Sequence, residues 1–190
     1  MANSRKSDKE RKKPIKHTRS QLIALEKLKK LDRNIHVLWN KKGIPSHLCG
    51  ILSVEIEENP ERAARKFLLE NLKIFKMKES LKDLTLIKIA DSLGGSHVIF
   101  QQFFNELPIH NAFISVHMDK KNLVKKVDVC YHPDIYIEPG AKGISQEEAI
   151  HIAIDALKAE KRLAGNASGE TVIYKKREKY YVAWKIRVIA

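Results

Sequence analysis

The 190-residue chain is short of several things, and each shortage removes a class of function. Its two cysteines, Cys49 and Cys130, lie too far apart in sequence for a Cys-x-x-Cys metal or redox pair. Two readings of them stay open, one disulfide or two buried thiols. No run of about 18 apolar residues occurs, which leaves no segment to cross a membrane as a helix. The stretch from Met1 to Lys16 is almost wholly polar or charged, so it lacks the apolar middle of a secretory signal. With 8 glycines, the chain contains neither a Walker A loop nor a strand-turn-helix Gly-x-Gly-x-x-Gly, and phosphate or dinucleotide sites are unsupported. His-Glu-x-x-His, which would set two imidazoles and a general base on one helix face, is missing too. Ser96 lies between Gly95 and His97, but no Gly-x-Ser-x-Gly elbow is completed, so a turn serine is the better reading.

What is present in excess is positive charge, a formal +13. Between Met1 and Arg19 eight basic residues face only Asp8 and Glu10, which places +6 of that total in the first 19 residues. The rest is spread thinly, with lysines alternating with apolar positions as on a solvated face. The arm reads as a disordered solubilising segment, with a nucleic-acid or anionic-surface grip as the alternative. No recognition helix, zinc finger or aromatic RNA-binding pattern accompanies it.

At 43% hydrophobic the remainder is rich enough for a packed core. Ser20 can cap a short helix through about Leu31, with Leu22, Ile23, Leu25 and Leu28 as its apolar stripe. A strand is expected over Ile51–Ile56. Asn59-Pro60-Glu61 places a cap, a first-turn proline and an acid in helix-starting order, and Ala64, Phe67, Leu68, Leu72 and Phe75 recur at helical spacing behind it. Leu86–Asp91 reads as a strand entering a hairpin that runs from Gly94 to Asp119. In its second run Ala112, Ile114, Val116 and Met118 share one face, and Asn111, Ser115 and His117 the other. Asp119-Lys-Lys-Asn122 turns the chain, with Asn122 suited to the left-handed position, into a strand over Leu123–Val129. Residues 131–144 mark a linker. Ser145-Gln-Glu-Glu148 then opens a helix to about Glu160, followed by strands over Thr171–Lys175 and Tyr180–Ile189. The pattern predicts an α+β fold in which an antiparallel sheet packs with helices and a smaller helix-plus-hairpin module follows.

The hairpin carries a resemblance. Gly94-Gly95, His97-Val98, Phe100-Gln101-Gln102, Pro108 and Val116-His117-Met118-Asp119 follow one another as in the fungalysin/thermolysin propeptide domain. One departure is clear, because Glu106 stands where that family has a turn glycine, which challenges the usual turn geometry. Val37, Trp39, Gly43, Pro45 and Gly50 match the opening of the same family. Ser145, Glu147, Glu148, Ala149, Ala153 and the closing Tyr181–Val188 run resemble a PepSY (cystatin-like) domain, which follows the first domain in such precursors. The resemblance divides the chain into an arm at 1–19, a propeptide-like domain at 20–130, the linker at 131–144 and a PepSY-like unit at 145–190, the last expected to be incomplete at its C-terminal end.

The resemblance implies a partner and no chemistry of the chain's own. Such propeptides inhibit and help to fold a thermolysin-like zinc metalloprotease by covering its cleft, and the zinc and calcium belong to that protease. A truncated precursor, a fragment and a free-standing inhibitor all stay open. An extracellular or cell-envelope setting goes with the family, while the signal-free Met1–Lys16 leaves a cytoplasmic one open. Gly95, His97, Gln101, Gln102, Pro108, His117 and Asp119 are the motif and partner-interface candidates; no catalytic, cofactor or metal residue is expected. His97 and His117 lie on paired strands and can approach each other, as a structural pair before a metal site. Gln101 and Gln102 face opposite sides of one strand, so at least one must find a backbone or partner bond. His151 and Asp155 are four apart on a helix, a surface arrangement.

Overall fold

A computed structural model describes residues 16–138, 143–157 and 167–189. The fold is α+β, with four α-helices and an eight-stranded sheet among the described residues. Helix α1 (Arg19–Lys29) leads into strands β1 (His36–Trp39) and β2 (Pro45–Cys49). Then come α2 (Pro60–Glu70), the single turn α3 (Leu72–Phe75), and strands β3 (Leu84–Ser92), β4 (Gly95–Phe104), β5 (Leu107–Met118) and β6 (Val124–Val129). Helix α4 (Gln146–Leu157) and the hairpin β7 (Ser168–Lys176) and β8 (Lys179–Arg187) complete it.

Six strands pair antiparallel in the order β1-β2-β6-β5-β4-β3. Alternation gives this sheet one apolar face, which α2 covers across β3, β4 and β6. Leu48, Phe67, Phe75, Phe100 and Ile114 meet there at 0–3% exposure. Each such side chain contributes about 1.5–3 kcal/mol by leaving water. Asn59 caps α2 by accepting from the Arg62 amide, as the sequence predicts. Lys76 ends α3 in the left-handed conformation (φ 53°).

Three local expectations change. Thr18, not Ser20, caps α1, because Gln21 three residues on completes the reciprocal box. Gln21 also replaces Leu22 and Ile23 in the buried stripe: its Nε2 donates to the carbonyls of Gly43 and Ile74 at 2.7 Å each, while Leu22 and Ile23 stay exposed. The strand expected over Ile51–Ile56 falls instead on Pro45–Cys49, where pairing with both β1 and β6 outweighs the proline. Gly50 (φ 142°) ends that strand against Asp32 and Ile35.

The basic arm expected at residues 1–19 lies outside the described residues over 1–15. Its end belongs to the fold, since His17 packs on Trp39 at 4.2 Å between ring centroids and Thr18 caps α1. Cys49 and Cys130 are free thiols. Cys49 stands opposite Lys126, four residues from Cys130, so the two lie roughly 13 Å apart along the ladder, beyond disulfide reach.

The β7–β8 hairpin joins the sheet at an irregularity. Gln101 pairs with Phe113 and Phe103 with Pro108, so residues 109–112 of β5 bulge opposite Gln102. Ile109 within that bulge pairs in parallel with Ile173 of β7. Ile109, Ala112, Ile173 and Tyr180 form a second, smaller core. Within residues 131–138, Tyr131 is buried and Ile137 bridges to Tyr180, while Tyr136 is exposed. The Ser145 hydroxyl accepts from the Glu148 amide at the start of α4, whose expected extension to Glu160 passes outside the described residues.

Candidate functional site

The β4–β5 hairpin is built by residue types that the sequence already singles out. Its two-residue turn, Asn105-Glu106, has positive φ at both positions (47° and 66°), the backbone that continues the right-handed twist of the flanking strands. The geometry therefore survives the loss of the usual glycine, and Glu106 carries the strain. At the other end Gly95 (φ 144°) lies so close to β5 that a Cβ there would sit 2.0 Å from the Met118 carbonyl oxygen. Asp119 closes the next turn by accepting from the amides of Lys121 (2.9 Å) and Leu123 (3.1 Å). Burial works against its charge, but those amides and Lys125 outweigh it and hold the carboxyl below the usual range. Asn122 takes the left-handed position (φ 57°), as expected.

Gln101 and Gln102 are both buried. The Gln101 Nε2 lies within 3.0 Å of the carbonyl oxygens of Gln102, Ile109 and Ala112, so it fills the bulge of β5 with donors. Gln102 points the other way, donating to Asp83 and the His132 carbonyl and accepting from the His132 amide. Both act as fasteners inside the fold. Pro108 sits opposite Phe103, where β5 leaves the turn.

The face of the sheet away from α2 carries a chain of polar groups. His97 and His117 are cross-strand partners whose Nδ1 atoms lie 2.7 Å apart. His97 Nε2 reaches the Ser92 hydroxyl (3.0 Å), and His117 Nε2 reaches Asp128 Oδ2 (3.0 Å). The other oxygen of Asp128, Oδ1, meets His47 Nδ1 at 2.7 Å, while Lys126 Nζ pairs with Oδ2 at 2.9 Å. Burial pushes the His117 pKa down, helped by the charges of His97 and Lys126 and opposed by Asp128. Asp128 is disfavoured by burial as well, yet hydrogen bonds from His47, Lys126 and His117 bring its carboxyl below the ordinary value. The sequence names His97 and His117. Asp128, His47, Lys126 and Ser92 become visible only through register, although alternation along β6 already places Lys126 and Asp128 on one face.

Among the described residues, no group of three or more His, Cys, Asp or Glu side chains has the geometry to hold a metal ion. His151 and Asp155 are both exposed on α4. This arrangement can orient strands and carry protons along a face.

Residues 88–128, from β3 through the whole β4–β5 hairpin to Asp128, match the Fungalysin/Thermolysin Propeptide Motif. This segment is similar to the propeptide motifs of fungalysin and thermolysin. Bacillolysin of Bacillus amyloliquefaciens is a similar protein, 24% identical over 115 residues, or 60% of this chain and 22% of that relative. The chain thus spans about a fifth of the curated relative it matches. The propeptide motif contains Ser92, His97, His117, Lys126 and Asp128, so all but one member of the polar chain lies inside it. His47 reaches in from β2. No helix among the described residues is long and apolar enough to cross a membrane.

Proposed function

We propose that this chain acts as a propeptide-type inhibitor and folding chaperone of a thermolysin-like zinc metalloprotease, binding over the protease cleft. The observation that carries the reading is the match of residues 88–128 to the propeptide motif, with the similarity to Bacillolysin beside it. A rigid sheet with one face backed by helices offers a large preorganised surface, which can exclude substrate and lower the barrier to folding of the partner. Metal ions in the complex would be the protease's.

The remaining parts fit the same reading. Residues 20–130 and 145–190 serve as two units joined through 131–144, the second PepSY-like. In that second unit α4 covers the β7–β8 hairpin incompletely and leaves a groove of about 1490 Å³, with Ile152 and Val182 more than half exposed along it. Open apolar surface of this kind is what partner interfaces bury. An extracellular or cell-envelope setting follows from the partner. Gly95, His97, Gln101, Gln102, Pro108, His117 and Asp119 shape the surface offered, with the two histidines as its direct contacts.

Mixing the purified chain with a thermolysin-like protease and measuring peptide hydrolysis tests the reading, together with the yield of active protease refolded in its presence. Inhibition at micromolar concentration or a raised yield supports it. A protease that digests the chain with undiminished activity and refolds no better overturns the role toward that enzyme. The alternative is an anionic-surface binder that uses the +6 arm, and it predicts salt-sensitive retention on nucleic acid that disappears when residues 1–19 are removed.

A further inference from the structure

The His97–His117 contact has a property that neither residue has alone. Two ring nitrogens of the same kind, His97 Nδ1 and His117 Nδ1, face each other at 2.7 Å, and that gap holds one proton. Which ring donates follows from the partners. Asp128 is a carboxylate and can only accept, so His117 Nε2 carries a hydrogen toward Asp128 Oδ2. A neutral His117 therefore presents a bare Nδ1, and His97 Nδ1–H is the donor.

We propose that the His97–His117 pair is an acid-opened clasp on the sheet face away from α2, closed while the pair holds a single bridging proton and forced apart when His117 takes a second. Protonating His117 at Nδ1 would set two N–H groups nose to nose at the observed separation. The rings must then part or turn.

The surroundings of the pair decide how the clasp responds. From β3, Ala90 lies opposite His97 and Asp91 is engaged with Ser96. The Ser92 hydroxyl is 3.0 Å from both His97 Nε2 and the Gly95 carbonyl oxygen, so its one hydrogen serves a bare Nε2 while the ring is neutral and the Gly95 carbonyl once Nε2 is protonated. From β6, Lys126 lies opposite His117 and repels a second proton, whereas Asp128 attracts it. From β2, His47 holds the far oxygen of Asp128, so its own protonation withdraws part of that attraction. Asp119, two residues past His117, is occupied by Lys125 and by turn amides. The closed clasp ties β4, β5, β6 and β2 across one face. Opening it adds positive charge there and frees both rings, so acid changes the shape and charge of the surface that the propeptide motif displays. The clasp belongs to the chain alone and stands whether or not the protease reading holds.

Long-range ¹H–¹⁵N NMR of the imidazoles in the full chain, titrated from pH 8 to 4, reads it directly. The expected result is coupled titration, with the first and second protons of the pair separated by at least about one pH unit. At neutral pH a His117 Nε2–H tautomer and a His97 Nδ1–H donor are expected. In His97→Gln, whose side-chain oxygen can accept from a protonated Nδ1, His117 titrates in a single step at higher pH than the pair's second step. Wild-type rings that titrate together on one ordinary curve overturn the clasp, as does a His117 whose titration His97→Gln leaves unmoved. If the variant fails to fold, the wild-type titration alone decides.

Discussion

The side-chain amide of Gln101 lies 3.0 Å from the carbonyl oxygen of Ala112, across a bulge where β4 and β5 have lost their ladder pairing. A glutamine thus supplies the donors that strand pairing no longer provides, at the place where β7 attaches. Gln101→Leu keeps most of the volume and strands those carbonyls. We expect it to cost roughly 1–3 kcal/mol in urea unfolding at pH 7. A loss below about 0.5 kcal/mol would show that water can replace the amide.

Gly95→Ala tests the close approach of β4 to the turn after β5. Its Cβ would lie 2.0 Å from the Met118 oxygen and 2.6 Å from the Asp119 carbonyl carbon, both backbone atoms that cannot swing aside. A loss of about 3 kcal/mol or more is expected. In a scanning thermal melt this would lower the midpoint by roughly 6–12 °C.

Glu106→Gly goes the other way. An L-residue held in the left-handed region costs about 1–2 kcal/mol, of which the larger unfolded-state freedom of glycine takes back about 0.5–1 kcal/mol. A net gain of up to about 1.5 kcal/mol is the expected outcome, with Glu106→Ala giving none. Equal stability of the Gly and Ala variants would place the turn strain elsewhere.

His132 links the segment after β6 to the C-terminal hairpin through its Nδ1 and the Tyr180 hydroxyl, 2.8 Å apart. Burial, then the charges of Lys175 and Lys42, push its pKa down to about 4. Since the unfolded ring titrates near 6.5, the folded state favours the neutral form. The stability it contributes is complete above about pH 6.5 and is lost as pH falls toward about 4. Urea midpoints of wild type and His132→Asn should therefore differ most at pH 7.5 and converge by pH 4.5. A gap that stays constant across this range would contradict the burial of a neutral ring.

Alternation and capping made most of the individual elements legible. The β5 pattern from Ala112 to Met118, the Asn59-Pro60 start of α2 and the left-handed Asn122 all follow from local chemistry, and each is where the pattern puts it. The strand at Pro45–Cys49 was hidden because proline and a polar serine speak against a strand, and only the neighbours β1 and β6 make one there. Gln21 was hidden as a core residue for a similar reason, while for Gln101 and Gln102 the sequence showed only that at least one must find a bond: a buried amide becomes acceptable only when particular carbonyls from elsewhere in the chain meet it. Of the polar chain, the motif marked His97 and His117, while Asp128 and His47 needed the β5–β6 and β6–β2 registers.

The amino-acid order by itself settled the α+β class, the hairpin from Gly95 to Met118 and the resemblance of that hairpin to a propeptide motif, because periodicity, turn chemistry and motif are properties of neighbouring residues. Tertiary structure alone decided that two imidazole nitrogens meet at 2.7 Å, that Asp128 holds two histidines and a lysine, and that the last hairpin docks on a bulge in β5. Those facts depend on which strands lie side by side and in what register, and register is chosen by the burial of the whole sheet face against α2.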